Sequence, residues 1–304
     1  MEKKKIITLG IDVGNAMINT STGFCCQARV TNDVMHMNKE DIKIKYDESE
    51  FTIGENNGAL NISKNKYKKL HYKLCLLTAI AESVNEDTIN CNVVVGCPVE
   101  DFNNKEHIAS IKETVKDLKN EVIYINDVRK TINIKDADVF CESGVVFVDR
   151  KRFMSEKTLV IDFGGSTVDI SYWEGLRLAQ ARTYKEGCFT LYEDIIKIIN
   201  KKFNTNLPSY EARHMIGKDK YEIEQQEQDI RFINTTVQNY VDGLISYINQ
   251  YFPTHNANSI QLIGGGAVML QKLIKEEYTK AELFNSPEFA NANTYASVGE
   301  LIWK

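Results

Sequence analysis

The 304-residue chain has little proline and no excess of basic charge. Four prolines leave no room for a long disordered proline-rich tract, and 37 Lys and Arg against 42 Asp and Glu argue against a dedicated nucleic-acid-binding protein. The seven cysteines include no C-x-x-C pair and no His/Cys ladder with zinc spacing, so reduced thiols are expected. No run approaches the roughly 20 apolar residues of a membrane span, and the N-terminal apolar run is too short for a secretory signal. We therefore expect a cytoplasmic protein.

A seven-residue pattern occurs twice, 150 positions apart. Leu9–Asn15 reads LGIDVGN, and Leu159–Gly165 reads LVIDFGG. Each copy is an apolar run that ends in Asp-x-Gly and is followed by a polar pair and a second strand-like segment, which predicts a β-hairpin. The spacing of half the chain length predicts two similarly built domains.

Strand-like and helix-like segments alternate along the rest of the chain. Helices are predicted at 67–84, 103–120, 138–148, 192–203 and 230–251, and buried strands at 93–95, 122–125 and 260–263. Alternation with short connections predicts parallel or mixed sheets that are covered by helices.

The residues that suit phosphate and cation binding lie in the two predicted hairpin turns and in a glycine run. Glycine-rich turns expose backbone N–H groups that suit phosphate oxygens, and Asp12 and Asp162 would lie beside them. Two such carboxylates can hold a hydrated Mg²⁺. Gly264-Gly265-Gly266 follows a buried strand and opens a helix, which suits a close approach of a nucleotide. The alternative is that all three segments are ordinary structural turns.

These three segments, in this order, resemble the actin superfamily of nucleotide-binding ATPases. Asp12–Asn15 matches its first phosphate loop, Ile161–Asp169 its second and Leu262–Ala267 its adenosine loop. Cys141–Val146 looks like its first connecting helix, and Phe289–Thr294 resembles a C-terminal segment of the ParM/StbA-type plasmid-segregation actins. The resemblance implies an α/β fold of the actin-like, duplicated ribonuclease H-like kind, with two similar domains around a nucleotide cleft.

The resemblance also implies the boundaries of the domains and the nucleotide. Domain I is expected at residues 1–155 together with a C-terminal helix at 291–304, and domain II at 156–290. The expected cofactors are ATP or GTP and Mg²⁺.

Roles for single residues follow from the same resemblance. Glu142 is expected to orient or deprotonate the water that attacks the γ-phosphate, and Asp169 to support the hydrolytic site. Asp12 and Asp162 would hold Mg²⁺ through water molecules, and Asp162 is also expected to take part in catalysis. Glu211 is a candidate ribose contact, with a solvated helix-face carboxylate as the alternative. The remaining expected nucleotide contacts are Gly14, Asn15, Asn19, Gly164, Gly165, Ser166, Thr167, Gly264, Gly265 and Gly266.

The chain departs from the superfamily pattern in its first phosphate loop. Many members carry a lysine a few residues after the first aspartate, where this chain offers only Asn19 and Thr20. Charge compensation is therefore expected to depend more on Mg²⁺ and on backbone amides. The four lysines within residues 64–69 are interpreted as a solvated helix face, with contacts to a partner or a neighbouring subunit as the alternative.

The leading hypothesis is a filament-forming ATPase that segregates plasmid DNA. Its partners would be further copies of itself and a DNA-bound adaptor of the ParR type, so that contact with DNA is indirect and no membrane is involved. Two alternatives remain open: a small-molecule kinase of the same superfamily, and a cell-shape or division actin homologue. The sequence shows no large acceptor-binding insertion, which argues against the kinase. Its terminal segments are too short for the membrane-binding helix that is common in cell-shape and division actins.

Overall fold

The computed structural model describes residues 6–32, 39–54, 58–60 and 65–304. The chain forms two compact units, each with its own hydrophobic core. Unit 1 comprises Met1–Arg150 and Glu288–Lys304, and unit 2 comprises Lys151–Pro287.

The described residues of unit 1 form one large sheet and three helices of at least three turns. Its strands are β1 (Ile7–Val13), β2 (Met17–Thr20), β3 (Cys25–Gln27), β4 (Val30–Thr31), β5 (Ile42–Tyr46), β6 (Ser49–Ile53), β7 (Thr88–Cys97), β8 (Glu121–Ile125) and β9 (Val128–Cys141). Its helices are α1 (Leu70–Glu82), α2 (Lys105–Lys116) and α8 (Ala290–Ile302), and the short α3 (Arg150–Phe153) begins at the end of the unit.

The strand order in unit 1 is β3-β2-β1-β7-β9-β8-β5-β6-β4. β1 runs antiparallel to β2 and parallel to β7, and β7 runs parallel to β9. The remaining pairs, from β9 outward, are antiparallel. The sheet is therefore mixed, and α1, α2 and α8 pack against it.

Unit 2 contains a five-stranded sheet and a separate hairpin. Its strands are β10 (Lys157–Phe163), β11 (Val168–Glu174), β12 (Arg177–Tyr184), β13 (Lys220–Ile223), β14 (Gln226–Asp229), β15 (Ser259–Ile263) and β16 (Ala281–Leu283). Its helices are α4 (Cys188–Phe203), α5 (Ala212–Met215), α6 (Asn234–Tyr251) and α7 (Gly265–Glu277). β13 and β14 form the hairpin.

The order β12-β11-β10-β15-β16 in unit 2 repeats the order β3-β2-β1-β7-β9 in unit 1. In both units the first strand is antiparallel to its hairpin partner and parallel to the next strand inward. The two predicted hairpins and the α/β alternation are thereby confirmed.

The C-terminal helix α8 packs on β1 and β7 at very short range. A Cβ at Gly10 would collide with the carbonyl oxygen of Ala292 and the backbone nitrogen of Ala296. Tyr295, which lies between these two small residues on the helix, is fully buried. Small residues on both elements therefore allow the helix to lie directly on the strand that leads to Asp12.

The prediction of a helix at 138–148 is wrong. β9 continues through Cys141 in parallel register with β7, and Glu142 and Ser143 form a turn before a 3-10 helix at Val145–Phe147. Two features explain the error. The alternation of buried positions in β9 at Lys130, Ile132 and Ile134 is interrupted near Lys135, where its register with β7 shifts, so the pattern of the following residues does not read as a strand. In addition, Ser143 has a left-handed φ of 57°, which a helix does not permit.

Smaller corrections concern the bounds of elements. The helix predicted at 67–84 begins at Leu70, after a separate 3-10 helix at Lys66–Lys68. The helix predicted at 103–120 is Lys105–Lys116, because the side chain of Asn104 accepts a hydrogen bond from the His107 N–H and so caps its start. None of the described helices is long and apolar enough to span a membrane.

Candidate functional site

The first hairpin places Asp12 at the end of β1, directly opposite Asn19 on β2. Opposite residues of an antiparallel pair project to the same face of the sheet. The turn between them is closed by the Gly14 N–H, which donates to the Met17 carbonyl at 2.9 Å. A Cβ at Gly14 would lie 3.0 Å from that oxygen, a tight contact that glycine avoids.

Asn291 links Asp12 to the turn that contains Glu142. Its Oδ1 accepts a 3.0 Å hydrogen bond from the Ser143 N–H, and its Nδ2 lies 3.5 Å from Asp12 Oδ2, which is a long and weak contact. The Glu142 N–H donates to the Cys97 carbonyl at 2.8 Å. The backbone on both sides of Glu142 is therefore held, by β7 on one side and by α8 on the other.

The pKa values of two buried tyrosines are raised, in part by the negative charges of this region. Burial, and then the charge of Asp12, raise the pKa of Tyr72 above its usual value, and Glu142 contributes to the same shift. Burial, and then the charge of Glu142, also raise the pKa of Tyr67. Asp12 and Glu142 therefore act on a common buried neighbourhood within unit 1.

A lysine that sequence analysis placed on a solvated face lies against the first hairpin. Lys66 is buried, and its Nζ donates to the Val13 carbonyl at 2.9 Å. Lys68 and Lys69 are exposed, as expected for a solvated face. Lys64 lies outside the described residues. The interpretation is therefore wrong for Lys66, because a tight 3-10 turn directs it inward.

The second hairpin places Asp162 opposite Asp169. Both carboxylates are buried. The Thr183 hydroxyl donates to Asp169 Oδ1 at 2.6 Å, and the Thr167 hydroxyl donates to Asp169 Oδ2 at 3.2 Å. These two hydrogen bonds hold the Asp169 carboxylate in place.

The start of α4 holds the turn of the second hairpin. The N–H groups of Cys188 and Phe189 donate to the carbonyls of Gly164 and Gly165 at 3.0 and 2.8 Å. The first N–H groups of a helix have no partner within the helix, so here they fix the turn instead. A Cβ at Gly164 would lie 2.8 Å from the Thr167 carbonyl, which matches the situation at Gly14.

The glycine run lies directly beside Asp162. Gly264 has a φ of 82°, and a Cβ there would lie 2.6 Å from Asp162 Oδ1. Gly265 and Gly266 form the first turn of α7, and a Cβ at Gly265 would meet no atom within 4 Å. The structure thus brings Asp162, the residues 164–167 and the glycine run together within unit 2.

Glu211 has a different setting. It ends a 3-10 helix at Ser209–Glu211, and its Oε2 accepts a 2.7 Å hydrogen bond from the Tyr221 hydroxyl. Burial, and then this hydrogen bond, raise the pKa of Tyr221 to about 12. The contact ties the turn to β13 of the small hairpin.

Within each unit, the residues present suit phosphate oxygens or the water shell of a cation. Asn19 Oδ1 and Ser166 Oγ are buried and have no hydrogen-bond partner among the described residues. Buried polar atoms normally have one. A cation-bound water can donate to Asn19 Oδ1, and Ser166 Oγ can donate to a phosphate oxygen. Carboxylates suit the water shell of a hydrated Mg²⁺, and the backbone N–H groups of glycine turns suit phosphate oxygens.

Two family models match the chain and together span most of it. The model described as the N-terminal domain of actin-like proteins matches residues 10–144, and the model described as plasmid segregation protein ParM, C-terminal, matches residues 154–297. The chain belongs to the actin-like proteins of the ParM type. No curated protein sequence matches it.

Solved structures with the same fold include plasmid-segregation and archaeal actins. A ParM from Clostridium botulinum, in a 15-stranded filament, is 18% identical, with a TM-score of 0.80 over 98% of this chain and 99% of that one. The apo pSK41 ParM protein is 19% identical, with a TM-score of 0.72 over 98% of each chain. An archaeal actin homologue in complex with ADP is 15% identical, with a TM-score of 0.80 over 97% and 100%. These likenesses establish the actin-like fold.

Sequence analysis missed two residues that contact the segments predicted to form the site. Asn291 belongs to the segment that resembles ParM, but nothing local shows that it contacts the Glu142 turn. Lys66 belongs to a lysine-rich run whose average character is that of a solvated surface. In both cases the contact is distant in sequence, by 279 residues for Asn291 with Asp12 and by 53 for Lys66 with Val13.

Proposed function

We propose that this actin-like protein binds ATP or GTP with Mg²⁺ and hydrolyses it in step with filament assembly. The observation that carries the proposal is the duplicated hairpin, which places Asp12 and Asp162 beside equivalent glycine turns in the two units. Domain I, at residues 1–155 and 291–304, and domain II, at 156–290, would each contribute one of these turns.

Each residue of the proposed site has a chemical role. Asp12 and Asp162 would hold Mg²⁺ through water, and the metal when bound would neutralise phosphate charge. Gly14, Asn15 and Asn19, with residues 164–167, would bind phosphates, and Gly264–Gly266 would line the nucleoside. Glu211 remains a candidate ribose contact.

Glu142 is proposed to orient the attacking water and to accept its proton. A carboxylate in this role must be positioned as well as basic, and the hydrogen bonds on either side of Glu142 supply the positioning. Asp169, held by two threonine hydroxyls, would support the hydrolytic site from the second hairpin.

The proposed biological role is plasmid segregation in the cytoplasm. Filaments of this chain would engage a DNA-bound adaptor of the ParR type, so the protein itself would not need to bind DNA. The net charge of −5 agrees with an indirect contact, because a direct binder of DNA needs basic surface.

The test is to measure sedimentation and phosphate release together, with ATP, with GTP and without nucleotide. We expect pelleting that depends on nucleotide and that is followed by phosphate release and disassembly. If pelleting occurs with none of the nucleotides, even at the high protein concentrations typical of cytoskeletal proteins, the filament proposal fails. If phosphate transfer occurs only when a sugar or an organic acid is added, the protein is a kinase.

The adaptor is tested separately. The genes that flank this one are expected to encode a small DNA-binding protein. Adding that protein with its DNA site should stabilise filaments against disassembly, whereas DNA alone should not. Equal stabilisation by DNA alone would contradict the indirect contact.

A further inference from the structure

The first hairpin lacks a cationic residue in its own sequence but has one held against it. The residues that follow Asp12 on β2 include Asn19 and Thr20 and no lysine. Lys66 reaches the same turn from 53 positions away, with its Nζ 2.9 Å from the carbonyl oxygen of Val13, the residue between Asp12 and Gly14. The ammonium group is therefore fixed at the start of the proposed phosphate-binding turn.

The position of Lys66 is built by its neighbours. The next residue, Tyr67, is buried and its hydroxyl donates to the Gly96 carbonyl on β7 at 3.3 Å, which anchors the 3-10 turn to the sheet. Lys68 and Lys69, which follow on the same turn, are exposed, whereas Lys66 is only 9% exposed. Burying a lysine is costly, so an inward lysine beside a functional turn needs a reason.

We propose that Lys66 supplies the positive charge that the first phosphate loop lacks, and that it binds the phosphates of the nucleotide. An ammonium has three donors, so it can keep its hydrogen bond to Val13 while it donates to a phosphate oxygen. The inference rests on the proposed function, because it assigns a further binding residue to the same nucleotide site.

The competing explanation is purely structural. Lys66 could serve only to satisfy the Val13 carbonyl and to hold the 3-10 turn. The two explanations differ in the ligand that should be affected. A phosphate-binding lysine discriminates between nucleotides and nucleosides, whereas a structural lysine affects the binding of both equally.

The test compares variants of the full chain by calorimetric titration with ATP, ADP and adenosine in the presence of Mg²⁺. Lys66→Met removes the charge, and Lys66→Gln removes it while retaining a donor for the Val13 carbonyl. Lys68→Met is the matched control, because it removes an exposed lysine from the same turn. Melting temperatures without ligand report whether each variant is folded.

We expect both Lys66 variants to bind ATP and ADP about tenfold or more weakly, because a hydrogen bond to a charged group is of that strength. Their affinity for adenosine and that of Lys68→Met for all three ligands should be unchanged. Unchanged ATP affinity in a folded Lys66 variant, or an equal loss for ATP and adenosine, would overturn the inference. If the wild-type chain binds no nucleotide, it is the proposed function that fails.

If Lys66→Met does not fold, Lys66→Gln alone decides the outcome. If neither variant folds, the wild-type chain with ¹⁵N-labelled lysine decides it by NMR. ATP should then shift the Lys66 Nζ resonance and adenosine should not. An identical spectrum with both ligands would contradict the inference.

Discussion

The two hairpins have nearly the same backbone and very different side-chain surroundings. In each, an aspartate is the next-to-last residue of the first strand, a glycine lies close to the carbonyl three residues on, and the first strand pairs in parallel with the next strand of its sheet. The partner opposite the aspartate differs: it is Asn19 in the first hairpin and Asp169 in the second.

The surroundings differ further in charge. The first hairpin has the ammonium of Lys66 and the amide of Asn291 against it. The second has two buried carboxylates, and threonine hydroxyls and the start of α4 stabilise that region. The two hairpins therefore share a backbone, while each unit adds its own charges; in the proposed site the shared backbone would position phosphates and a cation. The following experiments test this division, beginning with the largest expected effect.

Glu142 has no counterpart in unit 2, and its removal should have the largest effect. β9 leads to Glu142, whereas the equivalent strand β16 leads to Phe284. Glu142→Ala should lower the rate of nucleotide hydrolysis by about 10²- to 10⁴-fold, because a positioned general base contributes that much. Nucleotide affinity should be nearly unchanged. Phosphate release at saturating nucleotide measures the first quantity and calorimetric titration the second.

Glu113→Ala is the control for Glu142, because Glu113 is an exposed carboxylate in α2 of the same unit. It should leave both quantities unchanged. Normal turnover in Glu142→Ala would remove this residue from the catalytic role and would also remove the main functional difference between the units.

Gly10 marks a second difference, in packing. Its counterpart 150 positions later is Val160, which is fully buried, whereas Gly10 leaves room for the backbone of α8. Gly10→Ala should lower the free energy of unfolding by about 1–3 kcal/mol or more, because the clash is with backbone rather than with a flexible side chain. Chemical denaturation measures the change.

Gly243→Ala in α6 is the matched control for Gly10. A Cβ there would lie in ordinary contact, 3.4 Å from the Tyr184 hydroxyl, and alanine favours a helix. This variant should be as stable as the wild type or more stable, by up to about 1 kcal/mol. If both alanines were equally tolerated, α8 could not lie as close to β1 as described.

Asn291 should position the Glu142 turn, and its loss should have an intermediate effect. Asn291→Ala leaves the buried Ser143 N–H without its acceptor, which costs about 1–3 kcal/mol. We expect a lower melting temperature and about a tenfold lower hydrolysis rate with little change in KM. Asn293→Ala, two residues along the helix, should change neither quantity. A loss of stability with an unaltered rate would make Asn291 purely structural.

Sequence alone could predict the parts of the site that are local. The turns at Gly14, Gly164 and Gly264 were predictable because Asp-x-Gly and strand-to-glycine patterns determine backbone geometry over a few residues. Lys66 and Asn291 were not, because a side chain's environment depends on contacts between distant segments. The strand at 128–141 was missed since its buried positions are partly obscured by polar residues at Lys135, Asp136 and Asp138.

The smallest expected effect comes from making the first hairpin resemble the second. Asn19→Asp places a carboxylate opposite Asp12, as Asp169 is opposite Asp162. Like charges directly opposite on a pair of strands destabilise it by up to about 1 kcal/mol. The repulsion would raise the pKa of the pair in the folded state. The loss of stability should therefore be full at pH 7 and should disappear as the pH falls below the ordinary carboxyl range.

Melting temperatures of Asn19→Asp and wild type, compared from pH 7 to about pH 3 without nucleotide, test this last prediction. Asp169→Asn in the second hairpin is the reciprocal variant and should show no such repulsion, since it removes a charge instead of adding one. If Asn19→Asp were as stable as the wild type at pH 7, a cationic neighbour of the first hairpin would have to offset the new charge. Lys66 is the buried cation nearest to that turn by the described contacts, so combining Asn19→Asp with Lys66→Met should then expose the repulsion.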